Sequence, residues 1–343
     1  MIDIKSMNEA EIASLMAEIG EPKFRAGQIF KWLSDGARSF DDMTNLSKSL
    51  REKLSTMCEL RNAEMIRKQA SKVDGTIKYL WRFPDGNCVE SVFMEYKHGN
   101  TICISTQAGC RMGCKFCAST LAGLKRNLTP GEMLDQVIAA QRDTGKRVSN
   151  IVLMGTGEPL DNYDNVITFL KLVGDDKGLN IGMRHISLST CGICDKIKML
   201  AEENMQITLS ISLHAPDNET RSKIMPINNR FPVEELIKTC KYYFSKTSRR
   251  ISFEYTMIDG VSDTEECARK LATLLKGFPC HVNLIPLNPV SERDLKTSSK
   301  KAIERFVEIL SKSGLTVTVR RSLGSDIDAA CGQLRRKVEN GDK

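Results

Sequence analysis

The chain has no run of about eighteen apolar residues, the length a membrane-crossing helix requires, so a transmembrane span is not expected. Its first residues, MIDIKSMNEAEI, are too polar for the apolar segment of a secretory leader. A cytoplasmic protein is therefore expected. There is no low-complexity stretch and no internal repeat of fixed period. Aromatic residues are few, 6%, yet hydrophobic residues make up 41% of the 343 positions. That is enough for a sizeable core and excludes wholesale disorder. Charge of one sign is not in large excess either. The formal net charge of +7 permits a polyanionic partner without requiring one.

What the chain does have is cysteine, twelve in all. A disulfide scaffold would be short and loop-rich, and this chain is neither. Clustered cysteines in a cytosolic protein point instead to metal or redox chemistry.

Residues 9–58 read as a helical unit. Ile12, Leu15, Met16 and Ile19 recur at helical spacing, and Gly20 and Pro22 end that helix. Phe24, Ile29, Phe30 and Leu33 mark a second helix. Ser47 is placed to cap a third that carries Leu50 and Leu54. Over 65–106 the period changes. Turn signals at Asp74-Gly75, Pro84-Asp85-Gly86 and His98-Gly99-Asn100 separate β-prone runs, which predicts a β-meander. Beyond it, candidate strands at 101–106, 150–154, 185–190, 206–213, 251–257, 281–286 and 315–320 alternate with helical patterns. Several are near-continuous apolar runs, as strands buried on both faces should be. Thr129 and Glu132 form a capping box around Pro130. Such alternation predicts an α/β fold with a parallel sheet, open or curled into a barrel, whose function collects at the carboxyl ends of the strands.

Cys110-Arg-Met-Gly-Cys114-Lys-Phe-Cys117 follows the first strand of that alternation. Three thiolates at this spacing wrap one loop around one inorganic centre. A closed structural zinc site wants four ligands, usually as two pairs, whereas three suit a four-iron cluster with one iron left open. A zinc knuckle completed by a distant ligand is the competing reading. Cys191-Gly-Ile-Cys194 lacks a second pair and reads as structural. Cys267 and Cys240 fall on apolar helix faces and read as core.

Other residues carry independent signals. Period two places Glu90 beside Cys88, Val92 and Met94. A carboxylate on such a face is costly unless paired or protonated, a setting suited either to a general base or to an inward salt bridge. Gly155-Thr-Gly157-Glu158-Pro159 ends a strand where glycines would admit a ligand close to the backbone. Ser189, Ser212, Leu213, His214 and Asn288 lie at or just past strand ends. Cys331 lies among Arg320, Arg321, Arg335, Arg336 and Lys337, whose charge stabilises thiolate and attracts phosphate. Lys125, Arg126, Arg249 and Arg250 are further candidates for phosphate contacts or plain solvated surface.

The stretches CISTQAGCRMGCKFCAST, RNLTPGEMLDQV, LMGTGEPLDNYDNV, ISLSTCGI, LSISLHAPDNETR, NLIPLNP and DIDAACGQLR occur in one order. Together the chain resembles the dual-specificity ribosomal and transfer RNA adenine carbon-2 methyltransferases of the radical S-adenosylmethionine superfamily. The resemblance implies a partial (βα)6 barrel over 101–323, an N-terminal helical accessory domain over 1–62, a β-meander linker over 63–100 and a C-terminal segment over 324–343. It implies a [4Fe–4S] cluster on Cys110, Cys114 and Cys117. It also implies S-adenosylmethionine held by Gly157, Glu158, Ser189, Ser212, Leu213, His214 and Asn288. Cys331 would carry a methyl group taken from one S-adenosylmethionine, a second would be cleaved to a radical, Glu90 would deprotonate the adenine ring, and Cys103 would resolve the adduct by forming a disulfide with Cys331. The implied partners are 23S rRNA, tRNA, a flavodoxin-like electron donor and a dithiol reductant, acting on a monomer. Two alternatives stay open: a related adenine carbon-8 methyltransferase, and a non-enzymatic iron–sulfur or zinc protein that binds RNA and would need no Glu90, Cys103 or Cys331.

Overall fold

The computed structural model describes the chain except for residues 291, 322, 325, 328–333 and 336–343. After a two-residue strand β1 (Ile2–Asp3) come three helices, α1 (Glu9–Glu18), α2 (Arg25–Ser34) and α3 (Lys48–Met57), and β2 (Cys58–Glu59), which pairs in parallel with β1. The local sequence explains the helix starts. Asn8 and Glu11 form a capping box on α1, and the Ser47 hydroxyl accepts the Leu50 N–H at the start of α3. Ile12, Leu15, Met16, Ile29, Phe30, Leu33, Leu50 and Leu54 close over one another as a core of their own. Phe24 is the exception. It sits at the N-cap of α2 and is 65% exposed, because the helix begins after it. This unit is tied to the rest by a buried ion pair, Lys5 Nζ to Asp135 at 2.5 Å.

The meander follows as β3 (Glu64–Ala70), β4 (Ile77–Arg82), β5 (Cys88–Tyr96) and β6 (Gly99–Cys103), all antiparallel neighbours. A small hairpin, β7 (Gln107–Gly109) with β8 (Leu124–Asn127), brackets the triple-cysteine loop. The alternating part then runs α4 (Pro130–Thr144), β9 (Asn150–Leu153), α5 (Tyr163–Gly174), β10 (Ile186–Thr190), α6 (Cys194–Glu202), β11 (Thr208–Ser212), α7 (Asn218–Ile224), α8 (Val233–Thr247), β12 (Ile251–Met257), α9 (Glu265–Leu274), β13 (Cys280–Pro286), α10 (Lys300–Lys312) and β14 (Thr316–Val319). The Thr129–Glu132 box caps α4 with Pro130 in its first turn, as expected.

One ten-stranded ladder, β14-β13-β12-β11-β10-β9-β6-β5-β4-β3, holds both parts. It is parallel from β14 to β6 and antiparallel from β6 to β3, so the meander is hydrogen-bonded directly to the first barrel strand. The ladder curls. Tyr96 of β5 and Arg320, just past β14, line one cavity of about 370 Å3 although their strands are not bonded to each other.

The strands are not apolar on both faces. Ile186, Leu188, Leu209, Ile211, Phe253, Tyr255, Val282 and Leu284 are wholly buried in the main core. Between them, Ser187, Ser189, Ser210, Ser212, Glu254 and Asn283 face the other way, several of them onto cavities. The reason is closure: one face packs against helices, while the other encloses a polar lumen in which a ligand replaces side-chain packing.

Candidate active site

The triple-cysteine loop is held by its own backbone. The Cys110 N–H donates to the Gly123 carbonyl at 3.0 Å, and the Thr120 hydroxyl donates to the carbonyls of Cys114 and Cys117 at 3.2 and 2.9 Å. Gly109 is required beneath it. Its φ is +84°, and a Cβ there would lie 2.0 Å from the Gly123 carbonyl oxygen. With its carbonyls engaged, the loop lends Cys110, Cys114 and Cys117 to the wall of a cavity of about 270 Å3 at the carboxyl ends of the strands. Burial pushes the Cys110 thiol up to about 12 and the Cys114 thiol up as well. Thiols so withdrawn from water take on negative charge in exchange for a bound metal. The three thiols share one cavity wall, and a set of soft thiolate donors of this kind suits an iron–sulfur centre.

The rest of the wall comes from other strand ends. After β9, Gly155 lies under the Ile104 carbonyl, and Gly157 has a φ of +110° with no room for a Cβ beside Gln107. The Gln107 side chain accepts the Glu158 N–H at 2.8 Å. The Glu158 carboxylate accepts the N–H groups of Leu160 at 3.0 Å and Cys191 at 2.7 Å, and burial raises its pKa. Ser189 and Ser212 place their hydroxyls 3.5 Å apart across β10 and β11. His214 is buried at a φ of +58°. Its Nδ1 accepts the Thr256 N–H at 3.0 Å, and burial pushes its pKa down to about 3, so the imidazole is neutral. Asn288 completes the wall. The cavity thus gathers Cys110, Cys114, Cys117, Gly157, Glu158, Ser189, Ser212, His214 and Asn288. The Leu213 side chain is buried and is not on that wall.

Glu90 and Cys103 lie further along the same ladder, on β5 and β6. Cys103 ends β6 opposite Val92, and Glu90 is two residues from Val92 on the same face of β5. Both are buried. The Glu90 carboxylate pairs with Lys78 Nζ at 3.0 Å, so the inward salt bridge is present. Its other oxygen accepts the Arg335 backbone N–H at 2.6 Å. Cys331 itself lies outside the described residues, as do Arg336 and Lys337. Its flanks are attached to the meander. Asp74 accepts the Gly324 N–H at 2.8 Å, and Asp326 accepts the Ser71 hydroxyl at 2.6 Å and the Lys72 N–H at 2.8 Å.

Several residues escaped the sequence. Glu254 lines the cavity with its carboxylate held by Asn283 and Ser252. The alternation of Ile251, Phe253 and Tyr255 with Ser252, Glu254 and Thr256 could have revealed it. Lys78 interrupts an apolar strand and could have been matched to Glu90. Met112 and Phe116 on the cavity wall had no signal. Of the basic candidates, Arg126 is engaged by Asp85 and Glu132, Arg249 by the Ile207 carbonyl and Thr208, and Arg335 is buried.

Comparison with known proteins adds the following. Residues 104–272 match the radical SAM superfamily and residues 2–60 match the ribosomal RNA large subunit methyltransferase N-terminal domain. A "Probable dual-specificity RNA methyltransferase RlmN" of Lachnospira eligens is 55% identical over 98% of this chain and 97% of its own. One of the same description from Clostridium tetani is 53% identical over 100% and 99%. The crystal structure of a radical SAM methyltransferase from Sphaerobacter thermophilus superposes with a TM-score of 0.93 at 43% identity, covering 97% of this chain and 99% of that one.

Proposed function

The chain belongs to the RlmN family of radical S-adenosylmethionine RNA methyltransferases, and from that premise we propose that it methylates carbon 2 of adenine in 23S rRNA and in tRNA. The observation that carries the reading is the bond from the Arg335 backbone to the Glu90 carboxylate. It ties Arg335, four positions after Cys331 in the sequence, to the residue proposed as the base, on the strand whose neighbour carries Cys103. The descriptions of the curated relatives favour this reading over methylation at carbon 8.

Cys110, Cys114 and Cys117 would hold the [4Fe–4S] cluster, and Glu158 the amino group of S-adenosylmethionine, with Gly157 admitting the ligand to the backbone. Ser189, Ser212, neutral His214 and Asn288 offer the donors and acceptors for its carboxylate, ribose and adenine; Leu213 contributes only through its backbone. Held by those three thiolates, such a cluster would supply the one-electron reduction that cleaves S-adenosylmethionine to its deoxyadenosyl radical.

The chain's own residues then divide the work. Cys331 takes a methyl group by displacement, that methyl gives a hydrogen atom to the deoxyadenosyl radical, and the carbon radical left on sulfur adds to adenine, the adduct later giving up one electron to the oxidised centre as the ring proton leaves. An electron-poor ring carbon between two nitrogens resists direct attack on an electrophilic methyl, hence the radical route. Glu90 removes the ring proton. Lys78 is the counter-ion without which a buried carboxylate there would be costly. The Cys103 thiolate attacks the Cys331 sulfur, the carbon–sulfur bond breaks with its electron pair passing to the ring-bound carbon, a proton taken up there completes the methyl group, and a dithiol reduces the resulting disulfide. The base must leave its stack to reach this lumen. A flavodoxin-like electron donor, a monomeric state and a cytoplasmic setting complete the proposal; among the described residues no helix is long and apolar enough to cross a membrane.

The test is Cys103→Ala expressed with its cellular RNA. A nuclease-sensitive, slowly migrating protein–RNA band, absent from Cys331→Ala and from the double variant, is expected. Normal turnover by Cys103→Ala would assign release to another group. Nucleoside mass spectrometry of RNA modified by the wild-type protein decides between carbon 2 and carbon 8.

A further inference from the structure

Arg221 has no solvent exposure and no part in the chemistry above. It lies on α7, a short polar helix capped by Asp217. Its Nε donates to the Leu213 carbonyl at 3.0 Å and its Nη1 to Asn228 Oδ1 at 3.2 Å. Its Nη2 donates to the carbonyls of Cys191 at 2.6 Å and Ser212 at 3.2 Å. Every one of these acceptors is neutral. Among the described residues no carboxylate forms an ion pair with it. A guanidinium withdrawn from water in this way is costly unless negative charge stands nearby.

The negative charge nearby belongs to the cluster wall. The Arg221 Nη2 holds the Cys191 carbonyl, and Cys191 lines the same cavity as Cys110, Cys114 and Cys117. The Lys115 N–H, next in the chain, donates to the Ile224 carbonyl at the end of α7 at 2.8 Å. The helix of Arg221 therefore stands directly behind the triple-cysteine loop. Two buried carboxylates share this cavity: Glu254, held by Asn283 and Ser252, and Glu158, on the opposite side of the Cys191 backbone from Arg221. In the proposed function Glu158 answers the ammonium of S-adenosylmethionine, which leaves Arg221 to answer the thiolates. A four-iron core on three thiolates carries one negative charge when oxidised and two when reduced, so the demand for a counter-charge grows on reduction.

We infer that Arg221 is the internal counter-cation of the iron–sulfur centre, and that its charge sets how readily the centre accepts its electron. The step is the arrival of one electron from an external reductant, with no bond made or broken in the protein. Arg221 is a positioning residue in this role, since it touches neither substrate nor cluster. The inference rests on the assignment of Cys110, Cys114 and Cys117 as ligands. The rival account is mechanical: Arg221 clamps the carbonyls that follow β10 and β11 and contributes nothing electrostatic.

The experiment uses the full-length holoprotein, prepared without oxygen, as Arg221→Gln and Arg221→Lys. Iron content is measured, and dithionite titrations are followed by the paramagnetic resonance of the reduced centre. Removing one nearby unit charge in a medium of effective dielectric about 20 shifts the equilibrium on the order of ten-fold. For a one-electron couple that is about 59 mV towards lower potential. Arg221→Gln is expected to show this shift, and Arg221→Lys, which keeps the charge but not the fork of hydrogen bonds, to restore most of it. An unchanged potential in Arg221→Gln overturns the inference, as does an Arg221→Lys displaced as far as Arg221→Gln. Should Arg221→Gln not retain iron, Arg221→Lys decides: iron at the wild-type potential supports the counter-cation, and failure of both variants identifies the clamp. Cys114→Ala separates the premise from the inference, since a normal cluster signal in that variant would refute the ligand assignment itself.

Discussion

His214 offers the sharpest quantitative test of the site. Its ring is buried, meets Phe116 edge to face, and accepts the Thr256 N–H at Nδ1. A proton on Nδ1 would destroy that bond and place a charge in a cavity wall, which is why its pKa falls to about 3. In the unfolded chain the same imidazole titrates near 6.5. Between these values the unfolded state binds more protons, so the contribution to stability is full above pH 6.5 and is lost as pH falls towards 3. From pH 7 to pH 5 the loss amounts to about 2 kcal/mol. The comparison is urea unfolding of cluster-free wild type and His214→Asn at both pH values. Asparagine tolerates the positive φ and keeps an acceptor for Thr256 but does not titrate. Carboxylates common to both proteins cancel in the double difference. Wild type should lose about 2 kcal/mol more than the variant on acidification. Equal losses would show that the native imidazole ionises freely and would refute the neutral-histidine reading.

Other perturbations separate binding from stability. Gly157→Ala, whose Cβ would lie 2.6 Å from Gln107 Cβ at a φ of +110°, should cost about 1–3 kcal/mol in strain and abolish measurable binding of S-adenosylmethionine, read by equilibrium dialysis. Lys78→Met removes the buried cation paired with Glu90 and should destabilise the protein by about 3–5 kcal/mol in urea titration; a change within experimental error would mean the pair adds nothing to stability. Lys5→Met leaves Asp135 buried without its cation and should cost a similar amount, about 3–5 kcal/mol, with a new early phase in proteolysis of the N-terminal helices.

Much of this was local and therefore legible. The strands at 150–154, 251–257 and 281–286 and the caps at Ser47 and Thr129 depend on residues within a few positions of one another, and they lie where periodicity and capping chemistry put them. The triple-cysteine loop is also local, since three ligands within eight residues need only one turn of chain. Polarity was misjudged where it depended on closure. An apolar-rich strand reads the same whether its second face meets helices or a lumen, and only the curl of the ladder made Ser189, Ser212 and Glu254 cavity residues.

By itself, then, the sequence determined the order of strands and helices, the thiol loop and the strand on which Glu90 stands, because each is written in spacings shorter than a single element. The tertiary structure alone decided which groups meet. Glu90 finds Lys78 because a hairpin sets the register of β4 against β5, and Arg335 because the chain returns across that sheet. Arg221 reaches the carbonyls of two different strand ends from a short helix of largely polar sequence. Such contacts span from 8 to 245 residues, and no local period encodes them. They exist because burying the helix-facing side of a curled sheet forces the polar strand ends into one small volume, where each charge must find its partner or forgo water uncompensated.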